Sequence, residues 1–191
     1  IGDWQAVSRL YDALDELGVR LLRAVARDLD LDEHFFDDSV RDGNSILRLL
    51  HYPAQESAVP EGSIRAAAHE DINTITLLLG AEEAGLQVID RRTGEWIDIN
   101  PPPGCLVINV GDMLQRITNN VLPSTTHRVV NPSPERQKFA RYSAPFFLHF
   151  RPDYEIRTLA NCISENNPDH YPEPITAQEF LLQRLREIRL L

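Results

Sequence analysis

The chain has 191 residues, enough for one ordinary domain with a sizeable core, and 42% of them are hydrophobic against 25% charged. The formal net charge of −10 disfavours nucleic acid or an anionic membrane surface as the main partner, because both reward clustered Lys and Arg. Cys105 and Cys162 lie far apart and fit no CxxC spacing, so a reduced cytoplasmic setting is expected rather than a disulfide framework. No apolar run approaches the roughly 20 residues of a membrane span, and the acidic residues among the first twenty do not fit a secretory signal.

Trp4 to about Leu29 reads as one amphipathic helix, with Asp3 as N-cap and apolar residues at Trp4, Val7, Leu10, Leu14, Leu17, Leu21 and Val25. Asp42-Gly43-Asn44 breaks that pattern, and the period then changes. Strands are expected at Ser45–Tyr52, Ile64–Ala68, Thr74–Leu79, Gly85–Asp90, Glu95–Asn100, Cys105–Val110, Thr126–Val130 and Ala140–Phe150. Turn signals separate them at Pro53, Gly80, Arg92-Thr93-Gly94, Pro101 to Gly104 and Asn131 to Pro134. Gly111-Asp112 starts a short helix through Ile117. Many short strands at regular spacing point to a sandwich or barrel. Asn161 to Pro174 reads as a long polar loop, and Thr176 with Glu179 forms a capping box ahead of a C-terminal helix.

His69-Glu70-Asp71 sits at the end of one strand. In extended chain, residues i and i+2 share a face, so the His69 imidazole and the Asp71 carboxylate project together while Glu70 points away. His127, in another strand pattern, is the natural third ligand. Two His and one carboxylate leave open positions on a metal, which suits a non-haem Fe(II) centre. A structural zinc site needs four protein ligands, and no fourth is visible. An isolated HxD triplet is a weak motif, and a single strand His is more often packed or capped; the weight rests on the set.

Arg141-Tyr142-Ser143 repeats the i, i+2 logic. Arg141 and Ser143 share a face, and a guanidinium with a hydroxyl matches a carboxylate. An Arg turned into an apolar barrel is costly unless an anion meets it. The tripeptide equally fits a surface strand with Arg141 outside and Tyr142 inside. Tyr52, ahead of Pro53, is a further donor candidate.

Taken together, His69-x-Asp71, His127 and Arg141-x-Ser143 resemble the isopenicillin N synthase-like group of 2-oxoglutarate/Fe(II)-dependent dioxygenases. Pro103 to Gln115, His127 to Pro132 and Arg141 to Phe147 extend the resemblance, which runs from about Asp42 to Tyr154. It implies a mainly β double-stranded β-helix, a jelly roll, over residues 42–154, with a helical lead-in over 1–41 and a loop and C-terminal helix over 155–191, all in one domain. It implies Fe(II) on His69, Asp71 and His127. It implies 2-oxoglutarate chelating that iron, its distal carboxylate on Arg141 and Ser143 with Tyr52 assisting. O₂ would be the oxidant, succinate and CO₂ the by-products, and hydroxylation of a small-molecule C–H bond the usual outcome.

The chain departs from the group's pattern at Leu50-His51-Tyr52-Pro53. Many plant members have Asn-Tyr-Tyr-Pro there, so an Asn contact to the co-substrate is missing. An upstream region of roughly a hundred residues, the size of a small domain, is expected to precede this segment in the group. Two further readings stay open: an Fe(II) oxidase on the same scaffold that uses no 2-oxoglutarate, and a catalytically silent jelly-roll binding module.

Overall fold

The structure is a computed structural model that describes residues 3–55, 62–79 and 85–191. Helix α1 (Trp4–Asp28) begins where expected, with Asp3 accepting the Ala6 amide at 3.1 Å. Its buried residues are Leu14, Gly18, Leu22 and Ala26, one per turn, so one stripe faces the protein. A short α2 (Asp37–Val40) leads into the β region.

The strands follow as β1 (Ile46–Leu47), β2 (Leu50–Tyr52), β3 (Ala66–His69), β4 (Ile75–Leu79), β5 (Leu86–Ile89), β6 (Trp96–Asp98) and β7 (Leu106–Val110). Then come α3 (Asp112–Ile117), β8 (His127–Val129) and β9 (Arg141–Leu148). The turn expected at Gly80 lies outside the described residues. A small antiparallel pair, β10 (Glu155–Ile156) with β11 (Ile175–Thr176), closes the polar segment and starts α4 (Ala177–Glu187). The capping box at Thr176 and Glu179 is present.

Two antiparallel sheets make the jelly roll. The larger runs β1-β9-β4-β7, with β2 also on β9; the smaller runs β3-β8-β5-β6. The expected single strand Ser45–Tyr52 is split into β1 and β2, although both keep one register along β9. The cause is Pro145. The Arg48 amide donates to the Pro145 carbonyl at 3.0 Å, but proline has no N–H to return the bond, so the ladder lapses there.

The central strands β4 and β9 of the larger sheet carry side chains into packing on both faces. Ile75, Leu77, Phe146 and Leu148 pack outward against Leu14, Leu22 and Ala26 of α1, with Met113, Leu114, Phe150 and Phe180, in the main hydrophobic core. Fully burying such a side chain contributes about 1.5–3 kcal/mol. The alternate residues Thr76, Leu78, Arg141, Ser143, Pro145 and Phe147 face the other way and line a cavity between the sheets. A smaller cluster of Leu78, Leu86 and Val129 lies there.

Gly111 fixes α3 against the turn after β3. A Cβ at that position would overlap both the backbone carbonyl and the side-chain oxygen of Asn73. The closeness is required by the bonds made there: the Gly111 amide to Thr74 O at 2.9 Å and the Met113 amide to Asn73 O at 3.0 Å. Gly111→Ala is therefore expected to destabilise the protein by about 1–3 kcal/mol through overpacking, read as a lower midpoint with unchanged slope in urea unfolding.

Candidate metal centre

The three sequence-selected residues meet. His69, Asp71 and His127 each offer one ligand atom, and these atoms lie within 4.8 Å of one another. His69 Nε2 is 3.9 Å and His127 Nε2 3.8 Å from Asp71 Oδ1. The imidazole rings are tilted against each other with centroids 4.3 Å apart. His69 ends β3 and His127 opens β8, where the two are direct register partners. A bulge between Ala66 and His69 shifts that register, which re-aims the end of β3. Asp71 lies beyond the strand, in the following turn. The shared direction of His69 and Asp71 thus comes from a turn as well as from strand alternation.

The backbone sets both imidazole tautomers. His69 Nδ1 is 2.7 Å from Ala67 O, and His127 Nδ1 is 3.0 Å from Thr125 O. A carbonyl only accepts, so each Nδ1 carries the proton and each Nε2 presents a lone pair toward Asp71 Oδ1. The Thr76 hydroxyl donates to Asp71 Oδ2 at 2.6 Å, while Thr76 accepts from Asn73 Nδ2 at 2.8 Å. One carboxylate oxygen is thereby occupied and the other left facing the imidazoles. Asp71 and His127 are buried, at 6% and 7% exposed. The donor set fits one borderline first-row divalent metal such as Fe(II), with open positions toward the cavity.

Outside the centre a second set of contacts ties the ligand-bearing segments together. Glu70, turned away as expected, accepts from Thr126 Oγ1 at 2.7 Å, next to His127. Arg184 of α4 lies 3.9 Å from Glu70 and donates through Nε to the buried Asp112 carboxylate at 3.0 Å. The Asp112 amide donates to Asp71 O at 2.8 Å. Burial pushes the Asp112 carboxyl up, and the Arg184 charge opposes that.

The cavity holds about 190 Å³ and reaches from the centre to Arg141. Arg141 is 3% exposed, and Tyr142 beside it is 67% exposed and stacked on His51 at 4.8 Å. The orientation left open by the sequence is thus settled with Arg141 inside. Burial pulls the Arg141 guanidinium below its usual value, with the Arg65 charge adding to the shift. Tyr52 is the register partner of Arg141 and its ring centre lies 5.4 Å from that guanidinium. Ser143 shares the cavity wall.

Thr76 and Asn73 escaped the sequence reading. The signal was a hydroxyl on the cavity face of an otherwise apolar run, Ile75–Leu79; nothing local distinguishes Asn73. Arg48, which also lines the cavity, was equally silent.

Two imidazoles and a carboxylate facing the cavity of a jelly roll define a mononuclear non-haem metal class of protein. Residues 43–150 match the 2OG-Fe(II) oxygenase superfamily, and the chain belongs to that family. A 2-oxoglutarate-Fe(II) type oxidoreductase, hxnY of Emericella nidulans, is 40% identical over 90% of this chain and 48% of its own length. A crystal structure of a 2OG-Fe(II) oxygenase family protein from Caulobacter crescentus superposes with TM-score 0.88 at 65% identity, covering 95% of this chain and 58% of that one. A full-length Neurospora crassa protein, crystallised in complex with alpha-KG and thymine, gives TM-score 0.88 at 34% identity over 96% of this chain and 56% of its own. The chain spans about half the length of the curated relatives it matches.

Thr76→Val keeps the shape but removes the donor to Asp71. Metal affinity is expected to fall about 10- to 100-fold, measured by competition with a chelator. His149 supplies a pH test. Burial drives its imidazole from 6.5 down to about 4, against the pull of the Asp71 charge. Because the folded value lies below the unfolded one, its contribution is full above pH 6.5 and is lost as pH falls toward 4. The loss is on the order of 3 kcal/mol, and the metal-free His149→Leu variant should show a correspondingly flatter fall in Tm across that window.

Proposed function

We propose that this chain is the catalytic part of a 2-oxoglutarate-dependent Fe(II) dioxygenase that oxidises a C–H bond of a small molecule, hydroxylating it, with release of succinate and CO₂. The observation that carries the reading is the convergence of two imidazole lone pairs and one carboxylate oxygen on a cavity whose far end holds a buried guanidinium. In this reading, His69 and His127 bind iron through Nε2 and Asp71 binds it through Oδ1. Iron and 2-oxoglutarate together supply the O₂-dependent oxidising chemistry.

The protein's own part is positioning and exclusion. Arg141 neutralises the distal carboxylate of 2-oxoglutarate in a site where burial strengthens the attraction. Ser143 adds a hydroxyl donor and Tyr52 flanks the guanidinium. Leu78, Leu86 and Val129 keep water from the space between the two anchors. Thr76 holds Asp71 so that the same carboxylate oxygen always faces the metal. A small organic substrate sharing the cavity with 2-oxoglutarate agrees with the thymine and alpha-KG of the Neurospora complex. Unpaired Cys105 and Cys162 suit a reducing, cytoplasmic compartment. Among the described residues no helix is long and apolar enough to cross a membrane.

Anaerobic titration with Fe(II) and then 2-oxoglutarate should raise a weak visible charge-transfer band only when both are present. His127→Ala should abolish it. Arg141→Ala should leave iron binding intact and weaken 2-oxoglutarate by about 1.5–3 kcal/mol, roughly 10- to 150-fold in the concentration that half-develops the band. Bound iron without any band would favour an oxidase that does not use 2-oxoglutarate.

A further inference from the structure

We infer that Arg48 is a substrate-recognition residue and that the substrate carries a carboxylate attached to an apolar body. The inference deepens the dioxygenase reading and rests on it. Arg48, Leu50 and Tyr52 alternate along one edge of β9 and all line the cavity, as side chains two residues apart must. Tyr52 lies level with Arg141. Arg48 lies four residues back, roughly 13 Å along the strand, at the opposite end of the cavity. There its guanidinium sits over Phe147, 5.6 Å from the ring centre. Phe147 is the register partner of Thr76, the residue that holds Asp71. The cavity lining therefore includes a buried guanidinium, Arg141, toward one end and a solvent-exposed one, Arg48, at the end on the Thr76 side.

A single 2-oxoglutarate that chelates iron and ends on Arg141 leaves Arg48 unused. No carboxylate among the described residues makes an ion pair with Arg48, whereas Arg23, Arg151 and Arg184 each face an acid. Among the described residues lining the cavity, Asp71 is the only carboxylate, and its oxygens are committed to Thr76 and to the imidazole side. A guanidinium placed over an aromatic ring keeps its N–H edge for a ligand, and that edge matches a carboxylate in two parallel bonds. Leu50, Leu78, Pro145 and Phe147 supply the wall for the rest of the molecule. An acid seated on Arg48 would extend over Phe147 and bring its neighbouring carbons toward the metal.

The test uses protein loaded with Mn(II) and saturating 2-oxoglutarate, titrated calorimetrically with phenylacetate, indole-3-acetate and octanoate and with their neutral amides. At least one acid should bind on the order of tenfold or more tighter than its amide. Arg48→Gln should remove that preference while leaving the amide and 2-oxoglutarate affinities unchanged. Equal binding of acid and amide, no binding of any acid, or an Arg48→Gln variant that keeps the preference would each overturn the assignment. An acid that competes with 2-oxoglutarate would place the anion on Arg141 and would also overturn it. Failure of 2-oxoglutarate to bind both wild type and Arg48→Gln would instead count against the dioxygenase reading on which the assignment stands.

Discussion

The hydrogen bond from Thr76 to Asp71 is the contact around which the centre is organised. Asp71 is buried, and a buried carboxylate is tolerated only with partners for its oxygens. Thr76 satisfies one oxygen from inside the sheet, Asn73 holds Thr76 in place, and the other oxygen is left to the imidazoles. That arrangement needs the turn after β3 to press against the start of α3. The press is close enough that Gly111 has no room for a side chain. The Asp112 amide then reaches Asp71 O, and the Asp112 carboxylate reaches Arg184 on the C-terminal helix. Asp71 and Asp112 together thus link the larger sheet, α3 and α4, three elements far apart in the sequence.

The larger sheet separates stability from chemistry by strand alternation. Along β4, Ile75 and Leu77 enter the helix-covered core, while Thr76 and Leu78 enter the cavity. Along β9, Phe146 and Leu148 take the first side, and Arg141, Ser143, Pro145 and Phe147 take the second. Because most of the buried apolar residues lie outside the roll, under α1 and α4, the interior is free to hold polar groups at chosen points. Pro145 shows how little the ladder suffers: its missing N–H faces the short edge strands β1 and β2, and β4 on its other side keeps its register.

Charge is arranged with the same economy. The chain as a whole is strongly acidic, yet the described residues lining the cavity include two arginines and a single carboxylate, Asp71. Arginine suits both ends, since its planar fork fits carboxylates and, at buried Arg141, the group stays charged. The cavity lining is thereby suited to small organic acids, even though the net charge of this chain disfavours them at long range.

Much of this was written in local sequence. Strand alternation with turn residues specified nearly every strand and the two long helices, because the period-2 and period-3.6 patterns arise from backbone geometry alone. The triplet His69-Glu70-Asp71, together with His127 and Arg141-x-Ser143, was legible because i, i+2 spacing forces neighbours onto one face. The sequence could not say whether Arg141 or Tyr142 turned inward, since alternation fixes which residues share a face but not which face is covered. Only the packing of Phe146 and Leu148 on α1 decided that. Nor could it say that Thr76 would hold Asp71, that Glu70 would meet Thr126, or that Arg184 would reach Asp112. Those contacts join residues brought together by sheet order and helix docking, and no local periodicity encodes a meeting between distant elements.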